Sequence, residues 1–145
     1  MPGLTVQRTG MPQASQGKTL RSEWGLALHI ESAKGAESRR YLLDFGFTPE
    51  VYAENLKLLN IDIGSVDALI LSHGHFDHYG GLMGFLEAHR GRMRKDLRIY
   101  TGGEDNFCRR MLRNPDGSFA DFGDNHGTLD RRKLTDGSGR RAGTL

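Results

Sequence analysis

His73, His75, Asp77 and His78 fall within residues 73–78, a window that holds three of the chain's six histidines. Composition alone does not supply such a concentration. Imidazole nitrogens and a carboxylate are donors suited to zinc, with iron or manganese as alternatives. Side chains at i and i+2 in extended backbone project to the same side, so His73 and His75 can grip one ion. Asp77 and His78 are adjacent and must diverge, which lets them serve a second ion nearby. Gly74 places no side chain between the first pair. A divalent ion brings the pKa of the water it holds toward neutrality, and a second ion stabilises an oxyanion or leaving group. The chemistry expected is a metal-activated hydroxide attacking an ester, phosphoester, thioester or lactone.

These residues need rigid elements to hold them, and the chain provides candidates on both sides. Val66-Asp-Ala-Leu-Ile-Leu71 is a nearly continuous apolar run, the pattern of a strand buried on both faces. Gly80 and Gly81 open a helix whose Leu82, Phe85, Leu86 and His89 share one face. The cluster therefore sits at a strand's C-terminal end, where α/β folds assemble sites. Upstream, alternating Leu26, Leu28 and Ile30 predict a strand over Leu26–Glu31, and the turn Lys34–Glu37 joins it to a second over Arg40–Asp44. Thr48-Pro49-Glu50 announces a helix, with Thr as cap, Pro at the first position and Glu at the positive end. Its apolar face is Tyr52, Leu56 and Leu59, and it ends near Asn60. Leu97–Tyr100 is a further strand, and 105–113 reads as helical. Beyond Asn114-Pro-Asp-Gly117 the periodicity fades and no element is assigned. The order predicts a layered α/β domain over 23–113, a flexible arm over 1–22 and an irregular tail over 114–145.

The length of 145 residues suits one domain, and 37% hydrophobic with 26% charged residues is a globular balance. The longest apolar runs are too short to span a bilayer, and Met1–Gly10 lacks the pattern of a secretory signal. No membrane partner is expected, and the cytosol is the expected compartment. Cys108 is the only cysteine, so a thiolate metal knuckle is excluded, and helix packing is its expected role. Basic residues gather late, at Arg90, Arg92, Arg94, Lys95 and Arg98, at Arg109, Arg110 and Arg113, and at 131–133. They lack interleaved aromatics, so solvated helix ends or loops explain them better than nucleic-acid binding does. His29 reads as structural, His89 as packing or capping, and Trp24 as core. His126, in Asp124-Asn-His-Gly127, is the only later histidine, and its flanking sequence is poor for a metal ligand.

Ser72-His-Gly-His-Phe-Asp-His78 resembles the His-x-His-x-Asp-His signature of the metallo-β-lactamase superfamily. Leu42-Leu-Asp-Phe-Gly46 is similar to that family's strand ending in Asp, and Tyr79-Gly-Gly-Leu82 to the residues after its signature. Within the family the ordering resembles most closely the branch of dihydropterin ribofuranosyl-aminobenzene phosphate synthases. The likeness runs from Trp24 to Tyr100, about half the chain.

The resemblance implies an αββα sandwich, of which this chain is the N-terminal half, with two divalent ions at one sheet edge. It implies that His73 and His75 ligate the first ion and that Asp77 and His78 ligate the second. Asp77 would also orient the bridging water, as the catalytic residue. Asp44 would support the metal loop by hydrogen bonds from behind. A small-molecule substrate and hydrolase activity go with that assignment, although the family also holds iron-dependent redox members.

The family's remaining ligands come from later segments, and none is matched after Gly102. Its complete domain runs to roughly 200 residues or more, still a single-domain length. The chain is therefore expected to be a fragment or a truncated product, with two protein ligands per ion against the three typical of catalytic zinc. Half a sandwich would leave an apolar sheet face and an unpaired edge wet, which favours self-association. The alternative to an active hydrolase is accordingly a non-catalytic fragment with weak or no metal binding.

Overall fold

The computed structural model describes residues 19–121, 129–135 and 143–144. Two strands open it as a hairpin, β1 (Leu28–Lys34) and β2 (Glu37–Leu43), antiparallel in register from Leu28↔Leu43 to Lys34↔Glu37. The turn between them is Gly35-Ala36, and Gly35 takes φ +62°, which costs glycine nothing. Glu31 and Arg40 face each other in this register and form an ion pair at 2.6 Å. Both strands thus run closer to the turn than the alternation of apolar residues indicates.

Helix α1 (Pro49–Leu58) begins as its sequence dictates. The Thr48 hydroxyl accepts the Val51 N–H at 3.4 Å. Glu23, distant in sequence, completes the cap. Its carboxylate accepts the N–H groups of Phe47 (3.1 Å) and Thr48 (2.8 Å) and the Thr48 hydroxyl (2.8 Å). A carboxylate there also complements the positive end of the helix. Tyr52 and Leu56 are buried as expected, but Leu58 takes the third place and Leu59 is 47% exposed. The helix stops at Leu58, so Leu59 is its C-terminal cap residue rather than part of the apolar face.

A 3₁₀ turn (Ile63–Ser65) leads into β3 (Ala68–Leu71), parallel to β2. Two helices follow, α2 (Phe76–Tyr79) and α3 (Leu82–His89), then β4 (Arg98–Thr101), parallel to β3. Past a 3₁₀ turn (Glu104–Phe107), β5 (Met111–Arg113) and β6 (Phe119–Asp121) pair as an antiparallel hairpin. Segment 105–113 is therefore not one helix. Asn114-Pro-Asp-Gly117 closes a turn in which the Asn114 N–H donates to Ser118 O and the Gly117 N–H to Asn114 O. That turn holds Met111–Arg113 extended against its partner strand. Helix α4 (Arg131–Thr135) and β7 (Gly143–Thr144) come last, and β7 joins the main sheet beside β4. The sheet order is β1-β2-β3-β4-β7. None of β6, α4 and β7 is signalled by periodicity, because each is too short to show a repeat.

The core lies on one side of this sheet. Leu42 and Leu69 from the strands meet Phe45, Tyr52, Leu82, Phe85 and Leu86, all buried. Phe45, Tyr52 and Phe85 form a triangle of rings with centroids 5.4–6.0 Å apart. Register fixes which strand residues join them. His29 stands opposite Leu42, so His29 shares the helix-covered face while Leu28 and Ile30 turn away with Tyr41 and Leu43. The alternation in β1 is real, yet its larger apolar residues face away from the helices, and Leu28 is 44% exposed.

His89 ends α3 with its ring 5.2 Å from that of Phe85. Burial holds its imidazole below the usual histidine range, and the Arg92 charge acts in the same direction. The ring contact makes packing its role, and Nδ1 is buried with no hydrogen-bond partner among the described residues. Its folded pKa lies below the unfolded value near 6.5. Its contribution to stability is thus complete above about pH 6.5 and is lost as pH falls through the folded pKa. Denaturant unfolding from about pH 4 to 7 should show a smaller acid loss for His89→Leu than for the parent. Equal slopes would remove this assignment.

Candidate metal centre

Parallel pairing brings the C-terminal ends of β2 and β3 side by side, and Asp44 and Ser72 follow them directly. Asp44 adopts φ +59°, a left-handed conformation that Asp tolerates better than most residues. Its N–H donates to Ile70 O at 2.9 Å, which continues the pairing one step past the strand. The Asp44 carboxylate is fully buried. It accepts the Ser72 N–H at 2.8 Å and the Ser72 hydroxyl at 2.7 Å, and lies 2.7 Å from His78 Nδ1. A buried carboxylate without such partners would be strongly unfavourable, so these contacts are a condition of the loop's conformation.

The four signature residues follow a change of backbone. His75 is extended (φ −85°, ψ 141°) and caps α2, with the N–H groups of His78 and Tyr79 donating to its carbonyl. Asp77 and His78 therefore lie on a helical turn, while His73 and His75 precede it. His73 Nε2 and His75 Nδ1 approach to 3.1 Å. Asp77 Oδ2 and His78 Nε2 stand 3.6 Å apart. The His73 and His78 rings lie with centroids 3.9 Å apart, so the two pairs are neighbours. Among the described residues, no three His, Cys, Asp or Glu side chains converge on a single ion position. The arrangement is two pairs of donors.

Burial holds His73 below the usual histidine range, with the His78 and His75 imidazoles acting in the same direction and Asp44 and Asp77 opposing. The neutral ring is thereby favoured. Asp44 acts differently on His78. A carboxylate oxygen at Nδ1 calls for a proton there, and the ring so held turns Nε2 toward Asp77.

Three contributors escape a reading of spacing alone. Ser72, next to the motif, links Asp44 to the loop, and its hydroxyl also lies 2.9 Å from His73 Nδ1. Gly74 is needed for a reason other than room at an ion. A Cβ there would stand 2.5 Å from Asn106 O and 2.7 Å from Asn106 Cα. The chain after β4 thus packs directly on the motif loop, with Asn106 buried. Trp24 is not core; it is 77% exposed, and its indole N–H donates to Asp77 Oδ2 at 3.1 Å. Only its place at the start of the family-like segment could have marked it.

The other candidates lie elsewhere. Cys108 is exposed beyond the 3₁₀ turn that replaces the expected helix, so it has no helix to pack into. His29 Nε2 is buried with no hydrogen-bond partner among the described residues. Arg94 pairs with Asp67 and Asp96, Arg109 with Asp121 and Arg131 with Glu104, so these basic side chains serve local ion pairs. His126 lies outside the described residues.

A family model of the metallo-beta-lactamase superfamily matches residues 33–141. Over 80 residues the chain is 44% identical to the 7,8-dihydropterin-6-methyl-4-(beta-D-ribofuranosyl)-aminobenzene-5'-phosphate synthase of Methanocaldococcus jannaschii. The match covers 55% of this chain and 26% of that protein, so the chain spans about a quarter of the relative's length.

Replacing Asp44 by Ala would leave the Ser72 N–H, its hydroxyl and His78 Nδ1 facing a buried gap. Urea unfolding should show a loss of about 3 kcal/mol for Asp44→Ala and less than about 1 kcal/mol for the more exposed Asp77→Ala. Similar losses for both variants would deny Asp44 its organising role.

Proposed function

Because the chain belongs to the metallo-β-lactamase superfamily, we propose that the cluster at the β2 and β3 ends is a divalent-metal site for hydrolytic chemistry. The mixed sheet with its helices is part of that family's fold. His73 and His75 hold one ion, Asp77 and His78 a second, and zinc is the metal best matched to these donors.

The observation that carries this reading is the approach of His73 Nε2 to His75 Nδ1 at 3.1 Å. Two nitrogens sharing a tetrahedral ion at zinc distances stand roughly 3.3 Å apart. The Asp77–His78 pair, at 3.6 Å, supports it with one oxygen and one nitrogen. When bound, such ions supply an acidified water and polarise a carbonyl or phosphoryl oxygen.

The chain's own residues prepare the site for that chemistry. Asp44 holds the His78 ring with Nε2 facing Asp77. Ser72 bridges Asp44 and His73, so the two rings are held by one polar chain. Asp77, on the first turn of α2, presents a carboxylate oxygen that can accept a proton from water. Esters, phosphoesters and lactones are the substrate classes this arrangement suits. The Methanocaldococcus relative is named as a synthase, so assays should follow its reaction alongside hydrolysis.

One observation favours a second reading, a non-catalytic chain with weak or no metal binding. Among the described residues each pair supplies two donors, and no third joins either. Metal content separates the readings. Elemental analysis after dialysis should give about two zinc ions per chain, with clear losses in His75→Ala and Asp77→Ala. Less than about half an ion in the parent, or unchanged content in both variants, would contradict the metal site.

A further inference from the structure

Trp24 has no place in the core and no role in the signature, yet it and the two residues after it meet Asp77 at three points. Its indole N–H donates to Asp77 Oδ2 at 3.1 Å. Next to it, Gly25 takes φ +122°, and a Cβ there would stand 2.2 Å from Asp77 O. The Leu26 N–H then donates to that same carbonyl at 3.2 Å, and Leu26 O accepts the Gly46 N–H at 3.0 Å. A large indole that remains 77% exposed gains little from burial, so apolar packing does not account for its position. The backbone on its C-terminal side is docked on Asp77 in a conformation only glycine adopts readily.

We propose that Trp24 is a positioning residue for Asp77: its N–H holds the carboxylate with Oδ2 turned toward His78 Nε2. The inference rests on the metal-site reading above and assigns it a support on the solvent side. The oxygen that accepts the indole is also the one 3.6 Å from His78 Nε2. A carboxylate oxygen has two lone-pair directions, so it can accept the indole N–H and still face an ion with the other. Hydrogen bonds to ligating carboxylates fix their orientation, and loss of such a partner costs about 10- to 100-fold in metal affinity. Asp44 holds His78 from the buried side, and Trp24 holds Asp77 from the exposed side. Both members of the pair are then set before an ion arrives.

The chain has one tryptophan, so its fluorescence reports this contact directly. Zinc should be titrated against a chromophoric chelator with the parent and Trp24→Phe. The titrations should be repeated in the His75→Ala background, where the Asp77–His78 pair stays intact. In that background Trp24→Phe should weaken zinc binding about tenfold. Its thermal midpoint without metal should barely move, because the side chain is exposed. The fluorescence of the Trp24-containing chain should change with the same midpoint as zinc binding. Equal or tighter binding by Trp24→Phe, or fluorescence that ignores zinc while zinc binds, would overturn the Trp24 assignment alone. Absence of zinc binding in every variant, parent included, would overturn the metal-site reading and this inference with it.

Discussion

A single buried carboxylate ties this structure together. Asp44 stands where β2 ends, with its backbone still paired to β3 and its side chain turned into the loop that β3 feeds. Its oxygens take the N–H and hydroxyl of Ser72 and contact His78 Nδ1. It is fully buried, so leaving these contacts unmade would cost several kcal/mol. The loop conformation, the position of Ser72 and the orientation of His78 all follow. His78 contacts Asp44 directly, and Ser72 links His73 to the same carboxylate.

The layers around it divide the work. Helices α1 and α3 cover one sheet face and supply the apolar core that makes the strand ends rigid. Glu23 caps α1 through Phe47 and Thr48, only a few residues after Asp44, and so steadies the same connection from outside. The N-terminal segment that carries Glu23 also carries Trp24 and reaches the Asp77 carbonyl through Leu26. The site is thus gripped from a buried side by Asp44 and from an exposed side by Trp24. The sheet's other face keeps Leu28, Ile30, Tyr41 and Leu43 half-buried or exposed. No described helix is long and apolar enough to cross a membrane.

Much of this was legible in the residues. Thr48-Pro49-Glu50 marks a helix start because capping chemistry is local, and Val66–Leu71 marks a buried strand because continuous apolar character has few other uses. The histidine cluster stands out by type and spacing, and its place between β3 and α2 follows from those neighbours. What was not legible depends on contacts far apart in sequence. The face that β1 presents is decided by its register with β2, so Leu28 and Ile30 turn away despite their alternation. Ser72 and Trp24 acquire meaning only through partners 28 and 53 residues away. Met111–Arg113 looks helical by composition and becomes a strand because a turn at Asn114–Gly117 returns the chain alongside it. Gly74 invites an explanation from the ion, while its neighbour is the backbone of Asn106.

The central claim is that Asp44 sets the proton on His78, and with it the nitrogen offered to the site. Long-range ¹⁵N–¹H correlation spectra of the histidine rings in the metal-free chain read this directly. The account predicts His78 protonated at Nδ1, with that proton's signal lost or moved in Asp44→Ala. An Nδ1 of His78 that carries no proton, or a ring protonation pattern indifferent to Asp44, would contradict it.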